Sequence, residues 1–158
     1  MDTLHLTGPI VVGDDDERPQ AWVVGGRITY ERPRHTGTVT TLAGTVIPGL
    51  VDMHCHIGLD AGGAVEPNLA AKQAQVDRDA GTLLIRDAGS PLDTRFIHER
   101  DDLPRLIRSA RFIARPKRYL RNYAREIEPD QLPQVAAEEA RDGDGWVKLI
   151  GDWIDRDA

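Results

Sequence analysis

The rhythm of hydrophobic and polar positions changes near residue 45. Before it, short β-prone runs alternate with turn residues. Residues 4–12 read as a strand, 13–17 as an acidic loop, 21–30 (AWVVGGRITY) as a hairpin and 38–42 as a further strand. The hairpin rests on Gly25-Gly26, because two glycines between β-prone runs accept the positive φ angles of a tight turn. Residues 1–45 therefore read as a small all-β unit. From residue 46 strands alternate with helices. Residues 46–56 (VIPGLVDMHCH) form a strand-like run entered through Pro48-Gly49. Residues 67–80 have helical spacing, with Leu69, Gln73, Val76 and Ala80 on neighbouring turns and Gly81 as the stop. A buried-type strand follows at 82–87 (TLLIRD), then a short helix at 91–100 and a strand at 106–114. Residues 115–129 read as a helical or irregular excursion. Residues 130–142 read as a helix with Asp130 as N-cap and Gly143 as its stop, and 145–150 (GWVKLI) as the last strand. Such alternation predicts an α/β fold with a parallel sheet and crossover helices.

Composition narrows the function classes. The chain has 158 residues, 40% of them hydrophobic and 29% charged, which suits a soluble globular domain with a sizeable core. A net charge of -6 argues against a general nucleic-acid binder, which needs a basic face for phosphates. The basic stretch of Arg111, Arg115, Lys117, Arg118, Arg121 and Arg125 is local. It reads as a solvated helix face or as an anion or substrate contact. A single cysteine, Cys55, excludes an intramolecular disulfide and fits a reducing cytoplasm. No apolar run reaches the roughly 18 residues of a membrane span, and the first residues lack the basic region and cleavage site of a signal peptide. The expected partner is a small-molecule substrate, with no nucleic acid and no membrane. A homo-oligomer is compatible with the sequence.

Two features carry chemistry. On a strand, side chains alternate between faces, so His54 and His56 point the same way, about 6.5 Å apart. Cys55 points the other way with Val51 and Met53. Asp52 shares the histidines' parity one layer deeper and reads as a structural hydrogen-bonder. Two neutral imidazoles at a strand end suit Zn, Fe or Ni, yet they are not a complete site. Without context, such a pair also occurs as surface or hydrogen-bonded histidines. The second feature is Lys148, inside the apolar run Val147-Lys148-Leu149-Ile150. A buried lysine is costly unless paired or neutralised. Three solutions stay open: deprotonation and addition of carbon dioxide to give a carbamate ligand, snorkelling to solvent, or pairing with Asp152. Trp146 has the parity of Lys148 and either shapes a pocket or packs. Trp22 fits the core of the first unit. His5, His35 and His98 have no partner spacing and read as surface or structural residues, and Trp153 carries no assignment beyond packing.

The run VIPGLVDMHCHIG, the preceding hairpin AWVVGGRI, the strand-ending TLLIRDAG and the later GWVKLIGDW together resemble the amidohydrolase superfamily. Within it they are most similar to the imidazolonepropionase-like and prolidase-like branch. The resemblance implies an α/β fold: part of a β-sandwich in residues 1–45, then the first four β/α units of a TIM-like barrel in residues 46–158. It implies that His54 and His56 bind Zn2+ or another divalent transition metal, as one ion or two, with Lys148 bridging as a carbamate. Asp87, in the turn after the second strand, is implied at the catalytic face, touching substrate or supporting a ligand. The alternative for Asp87 is a cap of the following turn. The family expects a histidine after the fifth strand, another after the sixth and a proton-shuttling aspartate after the eighth. These do not fall within residues 1–158, so the chain reads as the N-terminal half of such an enzyme, inactive alone. The implied activity is metal-dependent hydrolysis of carbon–nitrogen bonds in amides, cyclic amides or dipeptide-like substrates. The rival reading is a small α/β binding or scaffold protein in which the histidine pair is incidental.

Overall fold

A computed structural model describes residues 2–34, 37–117, 119 and 122–151 of the chain. His35, Arg118, Arg121, Asp152 and Trp153, each given a reading above, lie outside the described residues. The chain divides into two compact units, Met1–Pro48 and Gly49–Ala158.

In the first unit, β1 (Thr3–Gly13), β2 (Asp16–Val24), β3 (Arg27–Thr29) and β4 (Val39–Ala43) form one sheet in the order β3-β2-β1-β4. β1 pairs antiparallel with β2 and parallel with β4. The β2–β3 turn has φ of 56° at Gly25 and 75° at Gly26, the positive values that match a tight turn to strand twist. Trp22 is buried, and its ring stacks on His5 of the neighbouring strand with centroids 4.8 Å apart.

The second unit continues with β5 (Leu50–Cys55), the short pair β6 (Leu59–Asp60) and β7 (Gly63–Ala64), α1 (Pro67–Asp79) and β8 (Thr82–Asp87). Then come a 3-10 turn (Arg95–Glu99), β9 (Arg105–Arg108), β10 (Ile113–Ala114), β11 (Arg125–Glu126) and α2 (Leu132–Asp142). β5, β8 and β9 pair in parallel in that order. The segment around residues 146–150 lies along the far edge, through parallel bridges Ser109–Trp146 and Ile113–Leu149. Ile113 N–H donates to Lys148 O and Ile150 N–H to Ile113 O, both at 2.9 Å. The result is an α/β unit with mixed sheets overall and a parallel series at its centre. Among the described residues, no helix is long and apolar enough to cross a membrane.

Several local expectations need correction. Residues 91–100 form only a 3-10 turn at Arg95–Glu99, the described residues of the basic stretch 111–125 form no helix, and 145–150 pairs through isolated bridges rather than as a strand. The buried face of α1 is Ala70 and Ala74, whereas Leu69 and Val76 are exposed. Small alanine side chains let the helix lie close to β8, where Ile85 is fully buried in the same cluster. Asp130 does not cap α2. A 3-10 turn (Pro129–Gln131) precedes that helix, and Glu128 and Gln131 satisfy each other's backbone N–H groups in a capping box. The expected strand at 106–114 is two strands. The backbone between them faces the buried turn at 88–90, where Ser90 N–H donates to Ala110 O at 3.1 Å. Finally, the β5–β8 register shifts between Asp52 and Cys55, so the strict alternation that gave Asp52 the histidines' parity is broken there.

Two buried charges lock α2 in place. Glu139 accepts Arg111 N–H at 2.9 Å and Arg125 Nη1 at 2.9 Å. Arg108 donates to Asp142 O at 2.8 Å, and its guanidinium lies 3.7 Å from both Asp93 and Asp144. Each buried charge thus has opposite partners, without which its desolvation would be strongly destabilising.

These burials predict that Ile85→Ala costs about 2–5 kcal/mol through the cavity it leaves. Leu69→Ala on the exposed face changes stability by about 0.5 kcal/mol or less. Urea unfolding of the two variants compares them directly.

Candidate functional site

His54 is the fifth residue of β5, and His56 follows the strand's last residue. Their rings lie 5.6 Å apart, centroid to centroid, at 61°. Lys148, 94 residues away from His54, brings its Nζ to 2.7 Å from His54 Nε2. On a flat sheet, three strand spacings of about 4.8 Å would separate β5 from the 146–150 segment by about 14 Å. The contact therefore requires both side chains to lean over the same face of the parallel series. The structure brings His54, His56 and Lys148 together.

The electrostatics favour uncharged nitrogen. Desolvation lowers the Lys148 pKa from the usual lysine range. His56 is also lowered, first by burial and then by the charges of Lys148 and His54, with the Gly89 hydrogen bond opposing them. Both shifts, at His56 and Lys148, run toward the uncharged nitrogen, the form in which such groups can bind a metal.

The surroundings hold the ring of His56 firmly. Its Nδ1–H donates to Gly89 O at 2.6 Å, which leaves Nε2 as the free lone pair. The ring meets Phe112 edge to face at 5.6 Å, and Phe112 meets Tyr119 in the same manner at 5.2 Å. Gln73 of α1 pins the backbone just beyond, accepting Gly58 N–H and donating to Leu59 O, both at 2.8 Å. Asp52 Oδ1 accepts His54 N–H at 2.8 Å, the structural role expected of it. Cys55 is half-buried against the core cluster, and burial, followed by the charges of Asp87, Asp52 and Asp77, pushes its thiol pKa up.

Asp87 is fully buried, and its Oδ1 accepts Gly89 N–H at 2.9 Å, so it caps the turn after β8. Its Oδ2 has no hydrogen-bond partner among the described residues. Trp146 packs against Arg86. The Arg86 guanidinium lies 4.4 Å over its ring, and its buried Nε1 has no partner among the described residues. Gly89, Phe112 and Gln73 were not singled out by sequence reasoning. The turn Arg86-Asp87-Ala88-Gly89 carried the available signal, since a glycine two residues after an aspartate marks an Asx-type turn. Among the described residues, no group of three or more His, Cys, Asp or Glu side chains is placed to hold a metal.

No family model matches the chain. Uncharacterized proteins of Mycobacterium tuberculosis and Mycobacterium bovis are 52% identical over 155 residues, covering 97% of this chain and 41% of theirs. The chain thus spans less than half the length of these curated relatives. Among solved structures, an amidohydrolase superposes with a TM-score of 0.67 at 17% identity, over 93% of this chain and 46% of its own. A prolidase complexed with N-methylphosphonate-L-proline gives 0.63 at 19%, over 93% and 46%. A Xaa-Pro dipeptidase with bound methionine in its active site gives 0.55 at 17%, over 89% and 44%. These likenesses establish a fold shared with hydrolases of the amidohydrolase and prolidase kind.

Burial, the largest cause, pushes the Asp87 carboxyl up to about 7, against the opposing effects of Gly89 N–H and Arg108. The folded state then holds this proton more tightly than the unfolded chain. Its contribution to stability is complete below about pH 4 and is lost as pH rises through about 7. Asp87→Asn should remove this part of the slope, a difference of the order of a few kcal/mol, measured by urea unfolding at stepped pH.

Proposed function

We propose that the chain is the metal-binding first part of a metal-dependent hydrolase of amidohydrolase type, acting on carbon–nitrogen bonds of amide, cyclic amide or dipeptide-like small molecules. The observation that carries this reading is the approach of Lys148 Nζ to 2.7 Å from His54 Nε2, beside the His56 ring. Nothing in local sequence requires a lysine from an apolar strand to meet a histidine 94 residues earlier. A shared cation gives a reason.

The donor set fits such an ion. His54 and His56 would offer neutral imidazole nitrogens to zinc or a similar divalent transition metal. Lys148 would join as a carbamate. Its uncharged Nζ attacks carbon dioxide, an N–C bond forms and one proton leaves to solvent, giving an anionic group with two ligand oxygens. When bound, the metal supplies Lewis acidity, which activates water and polarises a scissile carbonyl. In this scheme the three residues hold the ion and move no proton during turnover. The carbamate favours a two-ion centre over a one-ion centre.

The fold supports the same reading. Parallel β5, β8, β9 and the 146–150 segment follow in chain order, as the opening of a β/α barrel would, with the His54–His56–Lys148 group near the carboxyl ends of the strands. Leu50, Val51, Met53 and Leu83 are each about half-exposed on these strands, apolar surface that further barrel units would cover. The substrate range and the activity belong to the intact polypeptide, and its likeness to a prolidase and a Xaa-Pro dipeptidase makes Xaa-Pro dipeptides the first substrates to try.

Metal content of the intact protein, grown with zinc and bicarbonate, tests the reading. His54→Ala and His56→Ala should each abolish metal retention, Lys148→Ala should lower the metal-to-protein ratio, and Cys55→Ala should leave it largely intact. Equal loss in Cys55→Ala would overturn the ligand assignment. Absence of metal from the parent protein would favour a binding or scaffold protein with an incidental histidine pair.

A further inference from the structure

We infer that Asp87 is a positioning residue, which acts through the Gly89 peptide to set the tautomer and direction of the His56 ring. The inference rests on the metal-site reading above and deepens it.

The connection is continuous and short. Asp87 Oδ1 accepts Gly89 N–H at 2.9 Å, and the carbonyl of the same residue accepts His56 Nδ1–H at 2.6 Å. A carbonyl oxygen can only accept, so the proton sits on Nδ1 and the lone pair on Nε2 points away from the turn. Second partners of this kind commonly fix metal-binding imidazoles, usually through direct contact. Here one residue intervenes, and the turn is built for it. Gly89 has φ of 110°, a value that favours glycine, and a Cβ there would lie 2.7 Å from Ala110 O. Ser90 N–H, next in the chain, donates to Ala110 O at 3.1 Å. The 88–90 turn is thereby wedged against residues 110–112, and Phe112 from that segment also meets the His56 ring. The ring is held by a carbonyl and an aromatic edge, both referred to one turn.

A fully buried carboxyl is an expensive way to cap a turn. Its Oδ2 has no hydrogen-bond partner among the described residues. A cap that must hold one carbonyl in place against His56 gains from burial, because the carboxyl cannot exchange its bond for water.

The test uses the intact protein in three forms: parent, Asp87→Ala and Asp87→Asn. The asparagine amide oxygen can still accept Gly89 N–H, whereas alanine cannot. In metal-free parent protein, long-range 1H–15N NMR of the imidazoles should place the His56 proton on Nδ1. Asp87→Ala should lose that single tautomer and bind zinc about 10- to 100-fold more weakly. Asp87→Asn should keep the tautomer and bind zinc close to the parent level. A His56 proton on Nε2 in the parent would overturn the inference. So would a folded Asp87→Ala with parental tautomer and zinc affinity, or a folded Asp87→Asn as impaired as the alanine form. If the alanine variant fails to fold, the parent tautomer and the asparagine variant still decide. If the parent binds no zinc, the metal-site reading fails while the tautomer still judges the positioning role.

Discussion

A lysine amine lies within hydrogen-bond reach of an imidazole nitrogen across 94 residues of chain, and the rest of the second unit can be read as what makes that contact possible. Strand order comes first. β5, β8, β9 and the 146–150 segment follow one another in parallel, so the strand bearing His54 and the segment bearing Lys148 end on the same side. Desolvation comes second. It lowers the pKa of Lys148, a shift toward the uncharged amine that can share a hydrogen bond with an imidazole. The second condition comes from placing a lysine inside an apolar run, where a parallel strand normally has none.

Around this contact the structure uses polar groups as fixtures. Gln73 ties the loop after His56 to α1, and Gly89 holds the His56 ring. Glu139 and Arg108 tie α2 to the segments before and after β10. Every one of these is a buried or half-buried group with a backbone partner, and such bonds specify geometry more than they add net stability. Stability comes mainly from apolar burial: Ala70, Ala74, Ile85, Ile97 and Leu106 on one side of the series, and Phe112, Ala114, Ala124 and Ile150 in a second cluster. Helix α1 can reach Ile85 because its inward positions are alanines.

What could be read from sequence had strong local causes. Gly25-Gly26 dictated its turn, TLLIRD its strand, although only Ile85 and Asp87 of it are buried, and the histidine spacing its shared direction. The unusual place of Lys148 marked it before its partner was known. What escaped depends on tertiary contact. The register shift between Asp52 and Cys55 follows from pairing with β8, and the break between β9 and β10 from the turn wedged beside it. In α1 the larger residues Leu69 and Val76 dominate the periodicity, yet close approach selects Ala70 and Ala74. Phe112 and Gly89 touch His56 from segments with no motif of their own, so geometry alone identifies them.

The most direct measurement is a crystal structure of the intact protein grown with zinc and bicarbonate, with data collected at the zinc absorption edge. The account predicts an anomalous peak between the two imidazole rings and Lys148, with planar density extending from Nζ. A peak elsewhere, or a bare Lys148 side chain turned away from His54, would contradict it.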